Sequence, residues 1–176
     1  MILENNARML RLILPLLIAI LSFANQAQAQ AEYTASQEGW EVSLDKAIKM
    51  SEESGKPIMA NFTGSDWCGW CKRLKASVFD TEHFDQWANE NVVLLELDFP
   101  RRKQLPDNIR QQNAGLQQAF QVRGYPTIWV FKMIKNPTTG QYEIQALAKA
   151  GYGPDAKQWT QALDQQIEAS LAQIKG

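Results

Sequence analysis

The chain has 176 residues, of which 45% are hydrophobic and 21% are charged, a composition typical of about one globular domain that excludes a disordered chain and a membrane protein with several spans. Eighteen basic and nineteen acidic residues leave a net charge of -1, so composition gives no reason to expect nucleic-acid binding. Two cysteines and one histidine are too few for a four-ligand zinc site or a scaffold of several disulfides, and we expect no metal and no cofactor.

The first 29 residues resemble a secretory signal. Arg8 and Arg11 precede an apolar run at residues 12–23, and the small-x-small pattern at residues 27–29 suits a signal peptidase. A membrane-crossing helix needs about 20 apolar residues, so a retained anchor is the weaker alternative. We therefore predict a signal peptide at residues 1–29 and a periplasmic or secreted protein. The polar residues 30–41 that follow are predicted to be a flexible leader.

Residues 42–176 are predicted to form one α/β domain, because helix and strand patterns alternate along them. The first half is predicted to contain a helix from the Ser43 cap to the Gly55 stop, a strand at 57–62, a helix from Cys68 toward Val78 and a short helix with Phe84 and Trp87. A strand at 91–99 and a helix with Ile109 and Leu116 are predicted next. The chain is then predicted to form a hairpin of strands at 127–134 and 142–148 and a last helix opened by Pro154. Residues 91–99 are apolar on both faces, which is typical of a central strand.

The sequence WCGWCK at residues 67–72 carries the chemistry. It follows a predicted strand and opens a helix, where a spacing of three puts both sulfurs on one helical face, so that they can close a disulfide or open to a dithiol. Cys68 is predicted at the helix N-terminus, where amide groups and the helix dipole favour a thiolate, and we expect it to be the nucleophile. Cys71 is then expected to attack the mixed disulfide and release the reduced substrate.

The alternative is a disulfide that only staples the fold. In the chain-entropy model a four-residue ring contributes about 1.9 kcal/mol, against about 4.7 kcal/mol for a 100-residue loop, so distant cysteines would serve stability better. Metal binding by the cysteine pair is disfavoured because His83 is the sole imidazole and is predicted on a surface helix.

Residues 42–175 resemble the thioredoxin superfamily. The resemblance depends on the C-x-x-C motif together with VRGYPT at residues 122–127, which precedes a predicted strand like the family's cis-proline segment. GSDW at residues 64–67 and DFPRR at residues 98–102 are similar to an exported bacterial branch of the superfamily. The resemblance implies a thioredoxin-like α/β fold, with a central mixed sheet of four to five strands flanked by helices on both faces.

The resemblance also implies a substrate site. Pro126 is expected to be cis and to face the cysteine pair, and the backbone of Tyr125 is expected to pair with an extended substrate segment. Trp67, Gly69 and Trp70 are expected to form the apolar surround on which a substrate cysteine docks. We expect both tryptophans to be exposed near the site, since a helix N-terminus and its loop are rarely buried.

Two positions depart from the family pattern. Thioredoxins have a buried acid that is thought to take the proton of the second cysteine, and Asn61, which cannot take a proton, stands at the matching position. The family's Gly-Pro between the cysteines is replaced by Gly69 and Trp70, a dipeptide that is a main determinant of redox potential. The residues themselves leave the direction of electron flow open.

We interpret the chain as a thiol:disulfide oxidoreductase that reduces protein disulfides. Its expected partners are disulfide-bearing client proteins and, from the resemblance to exported reductases, a membrane electron-donor protein. We expect a monomer. The alternative from another class is a non-catalytic client-binding or assembly factor that uses the same peptide groove, and Cys68→Ser distinguishes the two.

Overall fold

A computed structural model describes residues 33–175, and the predicted signal peptide lies outside them. The helices are α1 (Leu44–Ser54), α2 (Gly69–Leu74), α3 (Glu82–Asn91), α4 (Asp107–Ala119) and α5 (Ala156–Lys175), and a π-helical turn, Lys75–Phe79, continues α2. The strands are β1 (Ile58–Thr63), β2 (Val93–Asp98), β3 (Thr127–Lys135) and β4 (Tyr142–Ala150). Each predicted helix and strand is found, which confirms the α/β fold class.

The four strands form one mixed sheet in the order β2-β1-β3-β4. β1 and β2 are parallel, with Asn61 opposite Glu96. β3 runs antiparallel to β1, with Thr127 opposite Phe62, and β4 pairs with β3 as the predicted hairpin. The carboxyl end of β1, which leads to the cysteine motif, therefore lies at the same end of the sheet as the start of β3.

Helices cover both faces of this sheet, as expected. Side chains alternate along β1, so that Ile58 and Phe62 pack with residues of α1 and α4, while Met59 packs with residues of α3 and α5. The face toward α3 and α5 also receives the buried end of α2 through Leu74. Asn61 points to this second face because it lies two residues after Met59. The alternation therefore places Asn61 on the side of the cysteine helix.

β2 lies at the edge of the sheet, so the prediction of a central strand at residues 91–99 is wrong. The strand is nevertheless partly covered at its outer edge, because Glu41 forms a parallel bridge with Leu95. The Glu41 N–H donates to the Leu94 carbonyl at 2.9 Å, and the Glu96 N–H donates to the Glu41 carbonyl at 2.8 Å. Helices on both faces and this covering segment explain why an edge strand is as apolar as a central one.

Residues 33–41 also differ from the flexible leader that was predicted over residues 30–41. Trp40 is only 9% exposed, and its ring lies 5.2 Å from that of Phe79. The Ser36 N–H donates to the Glu96 carboxylate at 3.0 Å. Polarity was misleading here because one tryptophan supplies the apolar anchor and the polar groups have a buried partner in β2. Residues 30–32 lie outside the described part of the chain.

Candidate active site

The two cysteines form a disulfide at the start of α2. Cys68 is the N-cap residue and Cys71 lies one turn further in, with Cα atoms 5.3 Å apart. The preceding turn is closed by a hydrogen bond from the Cys68 N–H to the Gly64 carbonyl at 2.8 Å. The Cys71 N–H donates to the Cys68 sulfur at 3.2 Å. After reduction, this N–H and the start of the helix favour a thiolate on Cys68, which suits the predicted nucleophile.

The disulfide is covered on most sides. Cys68 is 5% exposed and Cys71 is 6% exposed, whereas Trp70 between them is 53% exposed. Gly69 is exposed too, and the Trp70 ring packs against Tyr152 with ring centroids 4.9 Å apart. We call Gly69, Trp70 and Tyr152 the outer rim. This rim therefore provides exposed surface next to the two buried cysteines.

Sequence reasoning missed Tyr152 as part of the site. The residue lies between two glycines in the loop that joins β4 to α5, and 41% of its surface is exposed. An aromatic side chain flanked by glycines in a loop was the available signal, because such a residue has little nearby to bury it. Only the fold brings this loop to Trp70.

Trp67 is half-buried, unlike Trp70. Its indole N–H donates to the Phe99 carbonyl at 2.9 Å, and its ring meets that of Tyr125 edge to face, with centroids 5.8 Å apart. A Cβ atom at Gly64 would lie 2.5 Å from the Trp67 ring, so the close approach requires glycine there. The expectation that both tryptophans are exposed is therefore confirmed for Trp70 and is wrong for Trp67, which is half-buried.

Two carboxylates fasten the turn before the cysteines to the loop that follows β2. Asp98 is 1% exposed and accepts hydrogen bonds from the Ser65 N–H at 2.8 Å, from the Ser65 hydroxyl at 2.7 Å and from the Lys103 ammonium at 2.9 Å. The Asp66 carboxylate accepts hydrogen bonds from the backbone N–H groups of residues 101 and 102. Desolvation is the largest single influence on Asp66 and raises its pKa, but the backbone hydrogen bonds and the charge of Arg102 together outweigh it and hold the pKa below its ordinary value. Sequence reasoning had assigned neither carboxylate this role.

The segment before β3 lies beside Trp67. The peptide bond between Tyr125 and Pro126 is cis, as the family resemblance implies. The Tyr125 ring lies 5.2 Å from that of Phe99, and Gln117 donates to its hydroxyl at 2.6 Å. Burial raises the pKa of Tyr125, although the hydrogen bond from Gln117 acts in the other direction. Two of the predicted substrate-binding residues, Trp67 and Tyr125, are therefore in contact.

A polar cavity of about 150 Å³ lies on the other side of the disulfide, behind Cys71, and we call it the inner cavity. Asn61 lines it, as does Glu96 on the neighbouring strand. Asn61 is 4% exposed, and its Oδ1 atom has no hydrogen-bond partner among residues 33–175. The remaining lining residues are Ser36, Gln37, Thr63, Ser65, Lys72 and Lys75.

Glu96 is a buried acid that sequence reasoning missed. It is 1% exposed, and its carboxylate accepts hydrogen bonds from the Ser36 N–H at 3.0 Å and from the Ser36 hydroxyl. Burial raises the pKa of Glu96, although the hydrogen bonds from Ser36 act in the other direction. A carboxyl group therefore shares the inner cavity with Cys71, where the family pattern had offered only the amide of Asn61.

Comparison with known proteins agrees with this geometry. A family model described as a thioredoxin-like domain matches residues 44–167. A Chlamydia pneumoniae protein named disulfide bond reductase DsbH is 35% identical over 89 residues, which are 51% of this chain and 53% of that protein. Thioredoxin-related protein DsbJ of the same organism is 29% identical over 87 residues, 49% of this chain and 25% of that protein. The matched segment thus spans about half of DsbH and a quarter of DsbJ.

Two solved structures show the same fold. A structure described as DsbH oxidoreductase gives a TM-score of 0.65 at 25% identity and covers 82% of this chain and 98% of that chain. The solution structure of a thioredoxin from Thermus thermophilus gives a TM-score of 0.50 at 15% identity and covers 69% of this chain and 82% of that chain. Since the family model matches more than half of the sequence, the chain belongs to the thioredoxin-like domain family.

Proposed function

We propose that this chain is a thiol:disulfide oxidoreductase that reduces the disulfide bonds of other proteins. The observation that carries the proposal is the disulfide at the start of α2, which lies directly beside an exposed aromatic rim. A bond that only stapled the fold would close a ring of four residues, where the gain in stability is smallest. It would also have no use for an exposed tryptophan, Trp70, between the two cysteines in the sequence.

The reaction uses both sulfurs in turn. In the reduced protein the Cys68 thiolate attacks one sulfur of a substrate disulfide, and the other substrate sulfur leaves as a thiolate. Cys71 then gives up its proton and attacks the Cys68 sulfur, which closes the disulfide between the two cysteines and releases the second substrate sulfur. Two electrons pass from the protein to the substrate, and the two substrate thiolates take up protons. A donor must then reduce the protein before the next cycle.

The substrate segment is expected to dock between the outer rim and the start of β3. Gly69 and Trp70 provide exposed surface on one side of Cys68, and Trp67 connects the motif to Tyr125 on the other. We expect the backbone of Tyr125 to pair with an extended chain, and pairing of this kind selects conformation more than sequence.

Similarity to other proteins supports reduction over oxidation or isomerisation. The DsbH relative is named a disulfide bond reductase, and we extend that direction to this chain. The signal-like N-terminus supports a periplasmic or extracellular location, where client disulfides persist and a dithiol needs a dedicated donor. We therefore propose disulfide-bearing proteins as clients and a membrane electron-donor protein as the source of electrons. No helix among residues 33–175 is long and apolar enough to cross a membrane.

The test is to trap the mixed disulfide. Cys71→Ala should accumulate client proteins joined to Cys68 through a bond that a reductant cleaves, whereas Cys68→Ser should trap nothing and should not reduce insulin disulfides. A reduction potential of about -270 mV would support a reductant, and one of about -120 mV would make the protein an oxidant. If Cys68→Ser still performs the cellular task, the client-binding alternative replaces this proposal.

A further inference from the structure

An arginine guanidinium lies over the ring of each tryptophan of the motif. The Arg101 guanidinium lies 3.9 Å from the centre of the Trp67 ring, and the Arg73 guanidinium lies 4.6 Å from that of Trp70. Arg101 comes from the loop after β2 and Arg73 from α2, so two separate segments place the same pair of groups beside the disulfide. Stacking on an aromatic face holds the planar guanidinium and leaves its N–H edges available to a partner.

Neither arginine has an acidic partner in the part of the chain that the structure describes. No carboxylate among residues 33–175 forms an ion pair with Arg73 or Arg101, although Lys75 pairs with the neighbouring Asp80. The nearest acid in the motif, Asp66, is occupied by backbone N–H groups of the loop after β2. These arginines therefore keep their charge and their hydrogen-bond donors available at the surface.

The positive charge is local. Lys72, Arg102 and Arg123 are exposed on α2, on the loop after β2 and on the segment before β3. Asp66 offsets part of this charge through its attraction to Arg102, and the whole chain has a net charge of -1. This surface is basic although the whole protein is slightly acidic. A partner is attracted mainly by the charge of the surface that it faces, so a basic surface favours an acidic partner.

We propose that this surface selects client polypeptides whose disulfide is flanked by acidic side chains, with Arg73 and Arg101 each receiving a carboxylate. The proposal rests on the proposed function, because it names the class of substrate for the same two cysteines. The Trp70 ring packs against the client's apolar atoms, and the guanidinium edges bind carboxylates in the two-pronged manner that arginine favours. Exposed pairs of this kind act mainly on the rate of encounter and on the choice of partner.

Matched peptides test the proposal. Three peptides share one internal disulfide and differ only in the flanking residues, which are glutamate, glutamine or lysine. The second-order rate constant for oxidation of the reduced protein is measured with each by quenching and separation of the products. We expect the glutamate peptide to react about tenfold faster than the lysine peptide at low salt, and the ratio to approach one at about 1 M salt, where charges are screened.

Variants locate the effect. The double variant with Arg73→Gln and Arg101→Gln should lower the ratio to near one, and the charge-preserving Arg73→Lys with Arg101→Lys should keep most of it. The control is Lys135→Gln, which removes an exposed charge at the far end of β3, about 25 Å along that strand from Thr127. It should leave the ratio unchanged. Matching thermal unfolding midpoints show that each variant is folded.

The outcomes separate this proposal from the proposed function. Equal rate constants for the three peptides, or a ratio that survives loss of both arginines, would overturn the acidic-client proposal and leave the reductase intact. If the reduced protein is oxidised by none of the peptides, both proposals fail.

Discussion

The two sides of the disulfide differ in what they expose and in where their residues come from. The outer rim consists of exposed Gly69, Trp70 and Tyr152, and it faces solvent. The inner cavity is partly open and lined mainly by polar residues, and it is assembled from β1, β2, residues 33–41 and the part of the cysteine helix that carries Cys71 and Lys72. We therefore propose that a partner docks on one side of the sulfurs and that the Cys71 proton is exchanged on the other. Because the sides share little beyond the motif, substitutions should affect them separately.

The largest expected effect comes from Trp40, which anchors residues 33–41 beside the inner cavity. Its ring is 9% exposed and packs on Phe79 and Phe84. Trp40→Ala should lower the free energy of unfolding by about 3 to 5 kcal/mol, because a large buried ring is lost and a cavity remains. Urea unfolding measures this. A loss below about 1 kcal/mol would mean that the segment contributes little packing, as the flexible-leader prediction required.

Asn61→Asp adds a second carboxyl group to the inner cavity. Burial and the neighbouring Glu96 should raise the pKa of the new aspartate, so that it can accept the Cys71 proton at neutral pH. Release of substrate from the mixed disulfide should then become about tenfold faster, which is below the range of about 10²- to 10⁴-fold that a general base typically contributes. Rapid-quench measurement of the mixed disulfide tests this. An unchanged release rate would remove Asn61 from the mechanism.

How much of each side could be predicted depends on how local its contacts are. The motif and its helix were predictable because the spacing of Cys68 and Cys71 and the start of α2 are properties of neighbouring residues. Glu96 was not, because its partner Ser36 lies sixty residues away and the apolar residues around it concealed one acid in a buried strand. The edge position of β2 was missed for the same reason: burial of a strand does not tell which segment covers it.

The raised pKa of Glu96 determines in which direction the free energy of unfolding changes with pH. Its pKa in the folded protein is raised above the ordinary value of 4.5 by burial, so at a pH between the two values the folded state keeps a proton that the unfolded state has lost. The free energy of unfolding contributed by this group is therefore fully present below pH 4.5 and falls as the pH rises toward the folded value.

Glu96→Gln removes that contribution. The stability of the wild type relative to the variant should decline as pH rises from about 4.5 to neutral, by less than the loss expected for Trp40→Ala. Urea unfolding of both proteins over this range gives the difference directly. Asp107→Asn is the matched control, since Asp107 pairs with Arg110 on the surface, where its side chain is 81% exposed. A difference between wild type and Glu96→Gln that stays constant with pH would contradict the prediction.

Trp70→Ala should have the smallest effect on stability and the clearest effect on the outer side. More than half of the residue is exposed, so the free energy of unfolding should change by no more than about 0.5 kcal/mol, while KM for peptide disulfides rises because the outer rim loses its main contact. Trp70→Phe keeps an aromatic surface and should restore most of the affinity. Trp40→Ala and Trp70→Ala remove the same side chain, so their stability difference measures the surroundings alone. If the two variants lost equal stability, Trp70 would be part of the core and the outer rim would not exist as a separate docking surface.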